Sequence, residues 1–252
     1  MTVETRRSFN RKLLGTLAAY GLIETLFRHD AFAAAVKPAV AQWLRDLNNL
    51  SRDLKVGHKL KDTEFQAKME ELYRHVNLPE LLQLLDLEKI ARMTRLPDNG
   101  PASVGIDLRK VEGLPEQLSF GKQIFCLKKG RSVVPHGHNN MCTGFIVLRG
   151  TFAGKHYDRV ADEPGHYLIR PTIDRPFGPG EFSTISDHRD NVHWFKATSD
   201  TGFIFNVHVI GYDPAIDLPA GRVYLDPDGE KVQGGLIRAK RMTSSECHKK
   251  YG

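Results

Sequence analysis

The chain has 252 residues, of which 40% are hydrophobic and 26% charged, with 36 Lys and Arg against 30 Asp and Glu. That length allows one ordinary domain with appendages and a sizeable core, and the composition excludes an intrinsically disordered chain. The formal excess of +6 is scattered, apart from the tail between Arg238 and Lys250. Without a basic stripe interleaved with aromatics, no nucleic-acid partner is expected.

In chain order, the first signal is Thr5-Arg6-Arg7-Ser8-Phe9, followed by Arg11-Lys12, an apolar stretch from Leu13 to Phe27 and the small-x-small run Ala31-Phe32-Ala33. The apolar stretch is short and flanked or interrupted by Glu24, Arg28 and Asp30, so no stable membrane span is expected. The pattern resembles a bacterial twin-arginine export signal. That resemblance implies a signal peptide over 1–33, the twin-arginine machinery as a partner, and a periplasmic or secreted protein that crosses the membrane already folded.

Residues 34–97 read as helical. Ala39, Val40, Trp43, Leu44, Leu47 and Leu50 recur at three- and four-residue intervals, as a one-sided helix requires. A second helix is expected from an N-cap at Thr63 through Phe65, Met69, Leu72 and Val76, and a third from Pro79 through Leu81, Leu85, Ile90 and Met93. Asp98-Asn99-Gly100-Pro101 breaks the pattern and sets a boundary.

Over 98–215 short strand-like runs alternate with turn residues, which indicates a sandwich or barrel. Asn191 to Ala197 and Phe203 to Ile210 read as a hairpin around Ser199-Asp200-Thr201-Gly202. Over 216–252 a further hairpin is expected, turning at Asp226-Pro227-Asp228-Gly229, followed by the basic tail. The three cysteines, Cys126, Cys142 and Cys247, lack CxxC spacing, so a thiolate zinc site is not expected.

The chemistry concentrates in His136-Gly137-His138. Side chains alternate along a strand, so both imidazoles point the same way and can hold one metal ion if a third ligand arrives from a neighbouring strand. His193, between Val192 and Trp194 in a strand, supplies that ligand better than His188, which sits in a polar turn. His208 lies on a later strand. His156 and His166 have no evident partner and are assigned to the surface. Imidazole suits iron, zinc, copper or nickel, so the ligands alone do not choose the metal.

His136-x-His138, four residues, Thr143, six residues, Gly150, then Pro179-Gly180-Glu181 and His193, resemble the two cupin motifs. Within the cupins, Gly144 to Gly150, Asp190 to His193 and Asn206 to Gly211 resemble the thiol dioxygenases. The resemblance implies a mainly β fold, a cupin-type double-stranded β-helix (jelly-roll) barrel with an N-terminal helical segment. It implies iron(II) on His136, His138 and His193, with zinc, manganese, nickel or copper as other divalent metals. A small-molecule substrate and O₂ would be the partners, and His208 would be a catalytic residue orienting substrate or relaying a proton. Thr143 stands where cupins usually have glutamate, leaving three neutral ligands. Ile210 replaces a tyrosine, and Trp194 an arginine, of the cysteine dioxygenases. Arg109, Arg131, Arg170 and Arg175 are candidates for a substrate-carboxylate arginine, and Trp194, Ile210 and Phe145 for an apolar cavity lining. A non-catalytic metal- or ligand-binding cupin, and a metal-dependent isomerase or lyase on the same scaffold, stay open.

Overall fold

The computed structural model describes residues 39–252, so the export-signal and cleavage readings lie outside the described residues. Helix α1 (Ala39–Lys55) buries Val40, Trp43, Leu44, Leu47 and Leu54, the apolar side of its helical repeat. Helix α2 (Asp62–Arg74) buries Phe65, Met69 and Tyr73. It is capped at Lys61 rather than at Thr63, and the Lys61 amide donates to Glu64 Oε2 at 3.0 Å. The expected third helix is two short ones, α3 (Leu78–Leu84) and α4 (Leu87–Met93). Asp86 separates them in a left-handed conformation, with φ of 49°, and its carboxylate caps α4 through the Lys89 amide. Aspartate tolerates both roles better than most residues, which explains the break.

Eleven strands follow among the described residues: β1 (Ala102–Gly105), β2 (Gly121–Lys128), β3 (Ser132–Asn139), β4 (Met141–Arg149), β5 (Phe152–Glu163), β6 (His166–Phe177), β7 (Phe182–Ile185), β8 (Val192–Ala197), β9 (Thr201–Ile210), β10 (Gly221–Val232) and β11 (Leu236–Met242). Helix α5 (Ser244–Tyr251) ends the described chain. One antiparallel sheet has the order β1-β2-β9-β4-β7; the other closes on itself as β10-β11-β6-β5-β8-β3. From β2 to β9 the chain passes back and forth between the sheets, apart from the β5–β6 hairpin, so that β2-β9-β4-β7 faces β3-β8-β5-β6. That is the strand order of a jelly roll.

Two hairpin expectations are corrected. β8 and β9 lie in opposite sheets, so the turn between them carries the chain across the barrel. The Asp226–Gly229 stretch does not turn: β10 runs straight through it with a register irregularity, and the reversal falls at Gln233–Gly235. The Asp228 amide donates to Asp226 Oδ1 at 3.1 Å, so the local Asx geometry survives as a bulge within the strand.

The apolar residues separate into layers. Ile124, Cys126, Cys142, Ile146, Phe205 and Val207 face outward from the five-stranded sheet and are covered by the helices. Phe125, Phe145, Phe152, Phe177, Phe195 and Ile204 fill one end of the jelly-roll interior. Tyr157, Ile169, Val192, Leu225 and Ala239 fill the closed ring behind β8. Thus β3, β8 and β5 form a wall shared by two cores, with aromatics closing one end of the jelly-roll side.

Candidate metal centre

The polar end of the jelly-roll interior holds the histidines. On β3 the register slips between Val133 and His136, across Pro135, and His136 then lies directly opposite His193 of β8. The ring centroids of His136 and His193 are 4.1 Å apart, His138 to His193 5.1 Å, and His136 to His138 5.2 Å. One nitrogen from each lies within 4.8 Å of the others, and the cluster contains no carboxylate among the described residues. His188 is elsewhere, with Nδ1 2.9 Å from Asp62 Oδ2.

The three rings are 1%, 1% and 4% exposed. His136 Nδ1 donates to the Val134 carbonyl at 2.7 Å, which leaves the lone pair on Nε2. That Nε2, both nitrogens of His138 and Nδ1 of His193 are buried without a hydrogen-bond partner. Buried polar atoms are normally paired, and orphans carry a desolvation cost. A divalent cation would satisfy them, so the donor set fits one. Burial, then the Arg222 charge, pushes His138 down to about 3, and the same two causes hold His136 well below its ordinary value. His193 is lowered by burial and then by the neighbouring histidines. All three are therefore neutral at physiological pH, the protonation state that binds metal.

Asn191, two residues before His193, clamps β3. Its Nδ2 donates to the His138 carbonyl at 3.0 Å, and its Oδ1 accepts from the His138 amide at 3.3 Å. A Cβ on Gly137 would come 2.6 Å from that Oδ1, so glycine between the two histidines is a packing requirement.

The facing sheet contributes neutral groups. Thr143 Oγ1 donates to the Val207 carbonyl at 2.6 Å and accepts from Asn206 Nδ2 at 3.0 Å. Gln123 Nε2 donates to Asn206 Oδ1 at 3.3 Å. His208 is half-buried on the same face of β9 as Asn206 and sits over Gly121, whose missing Cβ makes room for the ring. It stands outside the ligand cluster, and burial, then Arg222, pushes it down to about 4.

Several expectations change. His156 is fully buried, not a surface residue: it lies directly opposite His193 in the β5–β8 pairing, stacks on Phe177 with an interplanar angle of 12°, and has Ser183 Oγ within 3.3 Å. Cross-strand registration brought it in, which spacing along one strand does not reveal. His166 sits by the β5–β6 turn, with Nδ1 3.3 Å from the Pro164 carbonyl. Trp194 points away from the cavity, edge-on to Tyr251 at 5.0 Å, because successive residues of β8 face opposite sides. Arg109 is tied to Asp107, Arg175 to Glu181 and Arg131 to the Gly252 carbonyl. The arginine that reaches the site is Arg222, directly opposite His138 in the β3–β10 pairing, with Tyr224 opposite His136. The only sequence signal for either was the alternation of Arg222-Val223-Tyr224.

No protein-family model matches this chain, and no curated protein matches it. Solved structures do. An oxalate oxidase is 14% identical, over 52% of this chain and 60% of its own, with a TM-score of 0.36. A protein of Thermus thermophilus is 15% identical, over 48% and 92%, with a TM-score of 0.33. A cupin-superfamily protein of Desulfitobacterium hafniense is 12% identical, over 48% and 86%, with a TM-score of 0.31. Other matches are spanned only in part, down to 20% of a procruciferin chain. Likeness this distant decides neither activity nor substrate, and the jelly-roll assignment rests on the strand order itself. Fold and site together define the class: a cupin-type jelly roll presenting three neutral imidazoles that suit a divalent metal ion.

Proposed function

We propose that this chain is an exported, mononuclear metal-dependent cupin, an iron(II) dioxygenase acting on a small thiol or another small anionic molecule. The observation that carries the metal reading is the set of orphaned ring nitrogens on three converging, buried histidines. A bound divalent ion would supply a Lewis acid that favours the thiolate over the thiol and, as iron(II), a redox couple for O₂. The protein's own part is to hold the ligands neutral and oriented. The Val134 carbonyl sets the His136 tautomer, and Asn191 fixes the backbone that carries His138. Three neutral ligands leave the charge of the ion uncompensated, which favours an anionic substrate. Phe145 and Phe195, 4.2 Å apart edge-to-face, close the inner end against water. His208 would orient substrate or carry a proton from the β9 side. Export by the twin-arginine route suits a protein that must fold around its metal first.

The test is metal identification on protein from its own host, followed by oxygen-electrode measurements of the iron-loaded form with a panel of thiols. Iron and thiol-dependent oxygen uptake are expected. Tight metal binding with no uptake for any thiol would replace the dioxygenase reading with a binding module. Native zinc or manganese would replace it with an isomerase or lyase.

A further inference from the structure

Helix α2 carries two stripes. Residues four apart lie on one face of a helix. Phe65, Met69 and Tyr73 form an apolar stripe, buried in the core against the five-stranded sheet. Asp62, Gln66 and Glu70 form a polar stripe, in which Asp62 and Gln66 are only 6% and 1% exposed. Polar side chains are seldom buried that far without partners, and all three find theirs on β7 or on the turn that follows it. Gln66 Nε2 donates to the Thr184 carbonyl at 2.8 Å. Glu70 Oε1 accepts from Thr184 Oγ1 at 2.9 Å and from the Arg189 guanidinium. Asp62 Oδ2 accepts from the His188 amide at 3.1 Å, and His188 Nδ1 lies 2.9 Å from the same oxygen. β7 is the four-residue edge of its sheet, and side chains of α2 stand where a further strand would pair.

What α2 holds leads straight into the metal centre. Within the turn the Ser186 amide donates to the Arg189 carbonyl, and the Arg189 amide to Ser186 Oγ, both at 3.1 Å. The Ser186 carbonyl accepts from Asn191 Nδ2 at 3.2 Å, the same nitrogen that grips the His138 carbonyl. Asp187 ties the turn to the start of β4, accepting from the Asn140 and Met141 amides at 2.7 and 3.3 Å. Asn191 ends the turn, and His193 follows on β8. On the metal-site reading given above, we propose that Asp62, Gln66 and Glu70 are positioning residues of the metal centre. They fix the turn that presents Asn191 and His193, so the helical region is a working part of the site as well as a cover for the sheet. All three act through the backbone of residues 184–191. Metal centres depend on the groups that orient their ligands, and here a segment remote in sequence supplies one layer of them.

The experiment uses cobalt(II)-loaded protein, with affinity read by competition against a chelator and ligand geometry from the ligand-field absorption at saturating cobalt. Asp62→Ala combined with Gln66→Leu should weaken cobalt binding about tenfold and change the saturated spectrum. Met69→Ala, on the apolar stripe of the same helix, is the control for lost stability. It should lower the urea midpoint at least as far, keep cobalt affinity within about threefold of wild type, and leave the saturated spectrum unchanged. Glu70→Gln keeps an acceptor for Thr184 and loses the charge that holds Arg189, at a side chain 26% exposed. It should shift the spectrum in the same direction by less, and it stands in if the double variant does not fold. A saturated spectrum identical to wild type in the double variant, or in Glu70→Gln where that replaces it, overturns the positioning role and leaves the metal site intact. An equal spectral change in Met69→Ala overturns it as well. Wild-type protein that retains far less than one cobalt per chain overturns the metal reading and the positioning role with it.

Discussion

Lowering the pH of the metal-free protein from 8 to 5 should strip away a large part of its stability. An unfolded histidine titrates near its ordinary value of about 6.5. In the folded chain burial pushes His138 and His156 down to about 3. A base whose folded pKa is depressed binds fewer protons in the folded than in the unfolded state. Stability is therefore complete above about pH 6.5 and is lost as pH falls through the window down to the folded values. At pH 5 each of these two histidines costs about 2 kcal/mol, about 4 kcal/mol together. His136 and His193 shift in the same direction and deepen the loss. Against a total of about 5–15 kcal/mol for a typical domain, that brings the apo protein close to unfolding. The assay is urea denaturation of chelator-treated protein at half-unit pH steps, followed by tryptophan fluorescence. A midpoint that stays constant between pH 8 and pH 5 would show that these rings are not held neutral by burial, and the reasoning would fail. Saturating metal should raise the pH 7 midpoint and postpone the acid loss, because the ion binds only the neutral rings of the folded state.

Further outcomes follow from the same geometry. His136→Ala should abolish metal retention, measured by elemental analysis, while far-UV circular dichroism shows the β-structure intact. Asn191→Ala removes the clamp on the His138 backbone, leaving a buried amide and carbonyl unpaired. It should cost about 1–3 kcal/mol in denaturation and about 10–100-fold in metal affinity by competitive chelation. Replacing Arg6 and Arg7 together by lysine should leave the protein in the cytoplasm on cell fractionation; normal export would remove the targeting proposal.

Much of the site was legible along the chain because strand geometry is local. Alternation alone puts His136 and His138 on one face, and apolar neighbours mark His193 as a strand residue. The same locality explains the clear reading of α1, whose apolar stripe repeats every three or four residues. It also explains the failures: a turn-rich stretch such as Asp226–Gly229 looks the same whether it reverses a strand or bulges within one. The break at Asp86 was likewise hidden, because a leucine-rich helical pattern continues on both sides of it.

By itself, then, the sequence determined the class of fold, the paired imidazoles and a later strand able to complete them. Only the tertiary structure decided that His156 lies beside His193 on the neighbouring strand, that Asn191 grips β3, and that Arg222 stands across from His138. Those three relations are matters of register between strands remote in sequence. Register is set by how whole sheets bury their apolar faces, and no spacing within a single strand encodes it.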